Sequence, residues 1–238
     1  MTIEEWRSAH NAFEFSRYRA RRAILSMYWK YSNWYLLANV PFQRRGQNHL
    51  CLDVGCGVGR SLCNIVKTRQ YVGLRVDPSI SSLRRLLRRT KKEHLAVFLV
   101  HAVGEYLPLR SSCVPLVTIG RALDHVMEPA QVMREVHRVL HDKGTLLILQ
   151  LVPGTSEQRK RARTGHLRVY AVDDLCRLME NFKITKLVLL YGLPLPVQFV
   201  RIASRVWKLI DALLPYSPSA IILACKSTAV SRDRQSEV

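Results

Sequence analysis

Two carboxylates and three glycines carry the densest chemical information in this chain. The run Leu52-Asp53-Val54-Gly55-Cys56-Gly57-Val58-Gly59 closes a short apolar segment with an acid and then alternates glycine with small residues. Glycine has no Cβ and enters left-handed backbone freely, so such a turn lets a ligand approach the main chain. Asp77 ends a second apolar run, about 20 positions beyond the glycines, where a carboxylate can accept hydrogen bonds from ribose hydroxyls. Asp53, directly before the turn, would repel a pyrophosphate; a ligand with a cationic amino acid end suits it better. No Lys-Ser/Thr pair follows Gly59, which disfavours a nucleoside triphosphate.

These residues need elements to hold them. Periodicity predicts strands over 49–54, 71–77, 95–100, 115–119 and 145–151, the last apolar throughout, as a strand buried on both faces is. Helices are predicted over 61–69, from Ser81 with Leu83, Leu86 and Leu87 on one face, and over 129–140, stopped by the glycine of His141-Asp142-Lys143-Gly144. Alternation of strand and helix means right-handed crossovers and a mostly parallel sheet. In such a sheet ligands sit beyond the carboxyl ends of the strands, so the turns after Asp53, Asp77, Val100 and Ile119 converge there. Beyond Pro153-Gly154 the pattern predicts a basic lid or loop over 153–170 and a helix over 173–181 capped by Asp173. A strand over 183–191, an inserted amphipathic helix over 194–215 and a last strand over 220–225 follow. The polar tail 227–238 is expected to be disordered.

Residues 1–42 interleave aromatic residues with arginines and contain no glycine, and Pro41 stops the helical pattern. Such a mixture serves either a nucleic-acid surface, through stacking and phosphate pairing, or a helical cap whose rings pack on the main domain. Helical spacing favours the cap.

With 238 residues, 48% of them hydrophobic, the chain can bury a full core. Its 37 Lys+Arg against 18 Asp+Glu give a net charge of +19, a field that favours an anionic partner, RNA or a membrane surface. None of the six cysteines forms a C-x-x-C pair, so a zinc site or a disulfide framework is not expected and a reducing compartment is. The acidic N-terminus lacks a signal-peptide pattern, and no apolar run approaches the roughly 20 residues that span a bilayer. A cytoplasmic protein, peripheral at a membrane surface if it meets one, is the expectation.

The glycine run resembles the first motif of class I S-adenosylmethionine-dependent methyltransferases. Val76-Asp77-Pro78-Ser79 is similar to that family's second-strand acidic motif, and Gly104-Glu105-Tyr106-Leu107-Pro108-Leu109 to its adenine-lining segment. Ala122-Leu123-Asp124-His125-Val126 with Glu128-Pro129, then Glu135–Leu140 and Lys143-Gly144, resemble the motifs around the fourth and fifth strands. Val103 departs from an acidic residue that the family often carries there. The resemblance implies an α/β, Rossmann-like, doubly wound and mostly parallel seven-stranded sheet over 43–226, with the N-terminal helical cap outside it, and S-adenosyl-L-methionine as cofactor. Gly55, Cys56, Gly57 and Gly59 would approach the cofactor, Asp53 its amino acid end, and Asp77 with Pro78 its ribose. Gly104 and Glu105 would offer backbone groups to adenine, while Arg121 and Ala122 would border the methionine part.

Methyl transfer is an in-line displacement that mostly needs positioning and exclusion of water. A base is needed only for a hydroxyl or a protonated amine, and Asp124 with His125 are the candidates; a loop pair that only shapes the pocket is the alternative. His166 and Tyr170 could close over the acceptor from the lid, though packing is the commoner use of such residues. No metal ligands are assigned. The expected reaction is methylation of a small-molecule or lipid-like acceptor. RNA methylation and a non-catalytic partner protein of the same fold are the rival readings.

Overall fold

The computed structural model describes residues 40, 50–59, 65–66, 71–152, 166–190 and 219–226. Seven strands form one sheet in the order β3-β2-β1-β4-β5-β7-β6. They are β1 (Leu50–Val54), β2 (Val72–Asp77), β3 (Val97–His101), β4 (Val114–Gly120), β5 (Leu140–Leu151), β6 (Phe182–Leu190) and β7 (Ser219–Lys226). Strands β1 to β5 pair in parallel, while β7 runs antiparallel to both β5 and β6. The expected Rossmann-like α/β sheet is therefore present, with one reversed strand slotted in near its edge.

Period-2 alternation sorts the side chains onto two faces. Leu52, Val54, Leu74, Val76, Val117, Ile119, Leu146 and Ile148 face one way. There they meet Val132 and Val136 of α2 (Pro129–Val139) and Leu175 of α3 (Val172–Leu178). Cys51, Leu116, Leu147 and Leu149 face the other way, against the helical residues Ile65 and Val66. Leu83 and Leu86 of α1 (Ile80–Lys92) pack with Cys56 just beyond β1. Helix α1 starts where the Ser79 hydroxyl accepts from Ser82 N at 3.3 Å, as an N-cap does.

Three expectations need correction. Helix α2 stops at Val139, and Leu140 turns extended at once (φ −67°, ψ 131°), so β5 absorbs residues 141–144 instead of a glycine-capped turn. Gly144 is required for a different reason: a Cβ there would lie 2.7 Å from Leu140 Cδ1 and 2.8 Å from the His141 carbonyl. Lys226 Nζ pins this early start, reaching the Leu140 carbonyl at 3.3 Å and Asp142 Oδ1 at 3.0 Å. Second, α3 is capped at Ala171, not Asp173. Asp174 Oδ2 accepts the Ala171 N–H at 2.8 Å, and the helix ends at Leu178, short of the expected 181. Third, the general alternation of strand and helix lapses between β3 and β4, where turns over 102–113 make the connection. Arg138 of α2 steadies that loop, donating to the carbonyls of Leu107 at 3.0 Å and Leu109 at 2.7 Å, while Glu135 Oε2 accepts from Leu107 N at 2.8 Å.

The helical cap over 1–42 (Val40 apart), most of the helix over 61–69, residues 153–165 of the lid, the inserted helix over 194–215 and the tail lie outside the described residues. Among the described residues, no helix is long and apolar enough to cross a membrane.

Candidate functional site

The carboxyl ends of β1, β2 and β4 bring the sequence-derived site residues to one edge of the sheet. Gly55, Gly57 and Gly59 all adopt left-handed backbone, with φ of 68°, 51° and 75°. The turn is hung from β2: Gly55 N and Cys56 N both donate to the Val76 carbonyl, at 2.9 and 3.1 Å. Asp77 Oδ2 accepts the Gly57 N–H at 2.7 Å, and its Oδ1 accepts from Ser79 N at 2.8 Å. Asp77 thus ties two turns together. Pro78 continues this edge, its carbonyl bonded to His101 Nε2 at 2.9 Å.

Gly55 is fixed by its neighbour as well as by its φ. A Cβ on it would stand 2.4 Å from the Ala122 Cβ, so the glycine turn and the loop after β4 touch at this point. Arg121 precedes that contact with φ 56°; its N–H donates to the Leu149 carbonyl at 2.7 Å and its guanidinium to Ser219 Oγ at 3.2 Å. The Cys56 thiol is buried with Leu83 and Leu86, and burial pushes it well above its ordinary pKa. Only the Cys56 main chain is therefore presented to a ligand by the turn.

Asp53 sits below the turn in a buried polar row across three strands. Its register partners are Arg75 on β2 and Thr118 on β4. Thr118 Oγ1 donates to Asp53 Oδ1 at 2.8 Å, and Arg75 Nη1 lies 3.8 Å from Oδ2. Burial raises the Asp53 carboxyl and outweighs the lowering by Arg75 and Thr118. Arg75, with a relative exposure of 0%, is the largest fully buried side chain described. Sequence reasoning did not single it out.

Gly104 and Glu105 lie together in the loop after β3. A Cβ on Gly104 would come within 2.8 Å of Val54 Cγ1, so the loop rests directly on β1. The buried Glu105 side chain turns inward, where its Oε1 accepts from Met127 N at 3.0 Å and Glu128 N at 3.3 Å, and its carbonyl accepts from Gln131 Nε2 at 3.2 Å. This carboxylate braces the loop that carries Asp124 and His125.

Asp124 is buried and meets two imidazoles. His166 Nδ1 hydrogen-bonds Asp124 Oδ2, His125 Nε2 lies 3.9 Å from Oδ1, and the two rings face each other at 4.6 Å between centroids. Burial raises the Asp124 carboxyl, but the His166 hydrogen bond, both imidazole charges and a Gln150 hydrogen bond outweigh it, and the group lies below its ordinary pKa. His166, weighed in the sequence mainly as a surface or packing residue, is thus part of the cluster. Tyr170 takes the packing role: it is buried, its hydroxyl donates to the Leu123 carbonyl at 3.1 Å, and burial pushes it up to about 12.

The site as a whole is a glycine turn with inward N–H groups, acids beneath and beside it, and an Asp-His-His cluster on the β4 side. Residues 52–148 match the family described as "Methyltransferase domain". An uncharacterized protein of transposon TN4556 from Streptomyces fradiae is 34% identical over 101 residues, which is 41% of this chain and 28% of that relative's length. Among solved structures, geranyl diphosphate C-methyltransferase from Streptomyces coelicolor A3(2), complexed with S-adenosyl-L-homocysteine, is similar with a TM-score of 0.67 at 15% identity, over 83% of this chain and 79% of its own. YcgJ of Bacillus subtilis gives 0.64 at 16% (84% and 100% covered), and the [4+2]-cyclase SpnF gives 0.65 at 16% (84% and 82% covered). Residues 52–148 are thus similar to a methyltransferase domain, and the sheet shares its fold with these solved structures.

Proposed function

We propose that this protein transfers a methyl group from S-adenosyl-L-methionine to a small-molecule or lipid-like acceptor. The observation that carries the reading is the hydrogen bond from Gly57 N to Asp77, which sets three left-handed glycines beside an acid at the shared edge of β1 and β2. Gly55, Cys56, Gly57 and Gly59 would meet the cofactor through their backbone, Asp77 and Pro78 its ribose, Gly104 and Glu105 its adenine, and Arg121 and Ala122 its methionine part. Asp53 would act from beneath, at the amino acid end. Asp124 and His125, joined by His166, would form the polar wall for the acceptor. The geranyl diphosphate enzyme of the same fold methylates a small molecule, which favours that acceptor class here.

Calorimetry of the full chain with S-adenosylhomocysteine tests the reading. Saturable micromolar binding is expected, weakened about a hundredfold or more in Asp77→Ala, since two ribose hydrogen bonds to a charged group are worth about 1.5–3 kcal/mol each. Absence of binding would sink the reading and favour a non-catalytic partner protein. Isotope-labelled S-adenosylmethionine added to a cell extract would then show which fraction takes up label.

A second reading, RNA as the acceptor, is favoured by α1, whose outward Arg84, Arg85, Arg88, Lys91 and Lys92 are all exposed. The salt bridge of Arg89 with Glu93 at 3.0 Å brings an acid to the end of this helix, and no other acid lies on it.

A further inference from the structure

The cluster at Asp124 holds one more donor than a proton relay requires. Asp124, His125 and His166 bring a carboxylate oxygen and two imidazole nitrogens within 4.8 Å of one another. His166 serves Asp124 Oδ2. Oδ1 is buried with no donor within hydrogen-bond distance among the described residues, although the Gln150 side chain also acts on this carboxyl, and His125 Nε2 stands 3.9 Å away. A buried anionic oxygen left without a donor is costly. One imidazole sharing a proton with Oδ2 does not relieve it, and the second imidazole stands too far off to do so.

The cluster is also held in place from outside. Leu167 N and Arg168 N donate to the Asp124 carbonyl at 2.9 and 3.4 Å. The Arg168 guanidinium clamps the carbonyls of Val126 and Met127 at 2.5 and 2.6 Å. His125 N donates to the Ala122 carbonyl at 3.0 Å, and Tyr170 to that of Leu123 at 3.1 Å. Segments 42 residues apart are laced together around the three donors, the kind of supporting shell that fixes a ligand set. Both imidazoles remain about one-fifth exposed, at 20% for His125 and 19% for His166, so the cluster opens toward the site edge.

We propose that Asp124, His125 and His166 bind one divalent transition-metal ion on the acceptor side of the pocket, and that the acceptor presents an oxygen to it. Two imidazoles and one carboxylate suit Zn²⁺, Co²⁺, Mn²⁺ or Fe²⁺ better than Mg²⁺ or Ca²⁺, which prefer all-oxygen shells. Three protein ligands leave coordination positions open for a substrate. A hydroxyl bound there loses its proton to water more readily. Its oxygen lone pair then forms the new C–O bond while the sulfonium C–S bond breaks and its electron pair returns to sulfur, leaving S-adenosylhomocysteine. The acceptor half of this inference rests on the methyltransferase reading; the cation site itself does not.

The full chain, stripped with a chelator and desalted, is titrated with Co²⁺ while its visible absorption is followed, and with Zn²⁺ by calorimetry. Uptake of one equivalent at micromolar or lower concentration is expected. Asp124→Asn, His125→Gln and His166→Gln should each weaken it about tenfold or more, as loss of even an outer-shell partner can. S-adenosylhomocysteine affinity should be retained. His125→Gln alters a partly exposed loop residue and keeps the test decisive should Asp124→Asn fail to fold. No stoichiometric uptake, or uptake that all folded variants retain, overturns the site. Normal uptake without S-adenosylhomocysteine binding supports the cation site and overturns its role toward the acceptor.

Discussion

Replacing Gly55 with alanine tests whether the glycine turn and the β4 loop are locked together as the geometry requires. Two effects add. Alanine in left-handed backbone, here φ 68°, is disfavoured by about 1–2 kcal/mol. The new methyl would stand 2.4 Å from the Ala122 Cβ, and Ala122, 6% exposed and without a rotamer to turn, cannot step aside. Such overpacking costs about 1–3 kcal/mol. The restricted unfolded chain returns about 0.4–1 kcal/mol, so the net loss should be about 1–5 kcal/mol, a large part of the roughly 5–15 kcal/mol that keeps a domain folded. Urea denaturation of full-length wild type, Gly55→Ala, Ala122→Gly and the double variant measures it. The double variant should regain the steric share but not the backbone share, giving a coupling of about 1–3 kcal/mol in the cycle. A Gly55→Ala loss below about 0.5 kcal/mol, or strict additivity in the cycle, would refute the reasoning.

Two further expectations concern charge. Arg75→Leu strands the buried Asp53 carboxylate and should destabilise by about 3–5 kcal/mol at neutral pH. Asp53 already sits above its ordinary pKa through burial, and without Arg75 it rises further, so folding takes up a proton. The loss should therefore shrink below the ordinary carboxylate pKa and grow as pH rises, which denaturation at several pH values would show; Asp53→Asn added to Arg75→Leu should flatten that dependence. On α1, Arg84→Glu with Arg88→Glu should reduce retention of transfer RNA at low salt and flatten its fall with salt. Retention unchanged by this reversal, or insensitive to salt, would remove RNA as the acceptor.

The sequence showed the parallel core because its signals are local. Short apolar runs ending in Asp53 and Asp77, glycines at alternate positions and Pro129 at a helix start each speak for their own segment. What it concealed depends on partners distant in sequence. Nothing in its own segment singles out Arg75; it is buried because the register sets it beside Asp53 on β1. His166 acquires its role only when 166–170 is laced to 123–127. Gly144 reads as a helix stop by position, yet its task is to clear Leu140 and His141. Nothing in the composition of residues 219–226 states that this strand runs against its neighbours, because apolar content carries no direction.

That reversed strand has an evolutionary consequence. Leu190 closing β6 and Ser219 opening β7 are register partners, so the connecting segment 191–218 leaves and re-enters the sheet at one point. Leu151, at the end of β5, is the register partner of the same Ser219, and Arg121 of the site reaches its hydroxyl. Both attachments therefore stand on the rim where the candidate site opens. The entropy of closing a loop grows only with the logarithm of its length, so this segment can be lengthened, shortened or exchanged with little effect on the sheet below. The fold thus anchors one connection at the rim of the candidate site, and its sequence can be rewritten while the glycine turn and its acids stay unchanged.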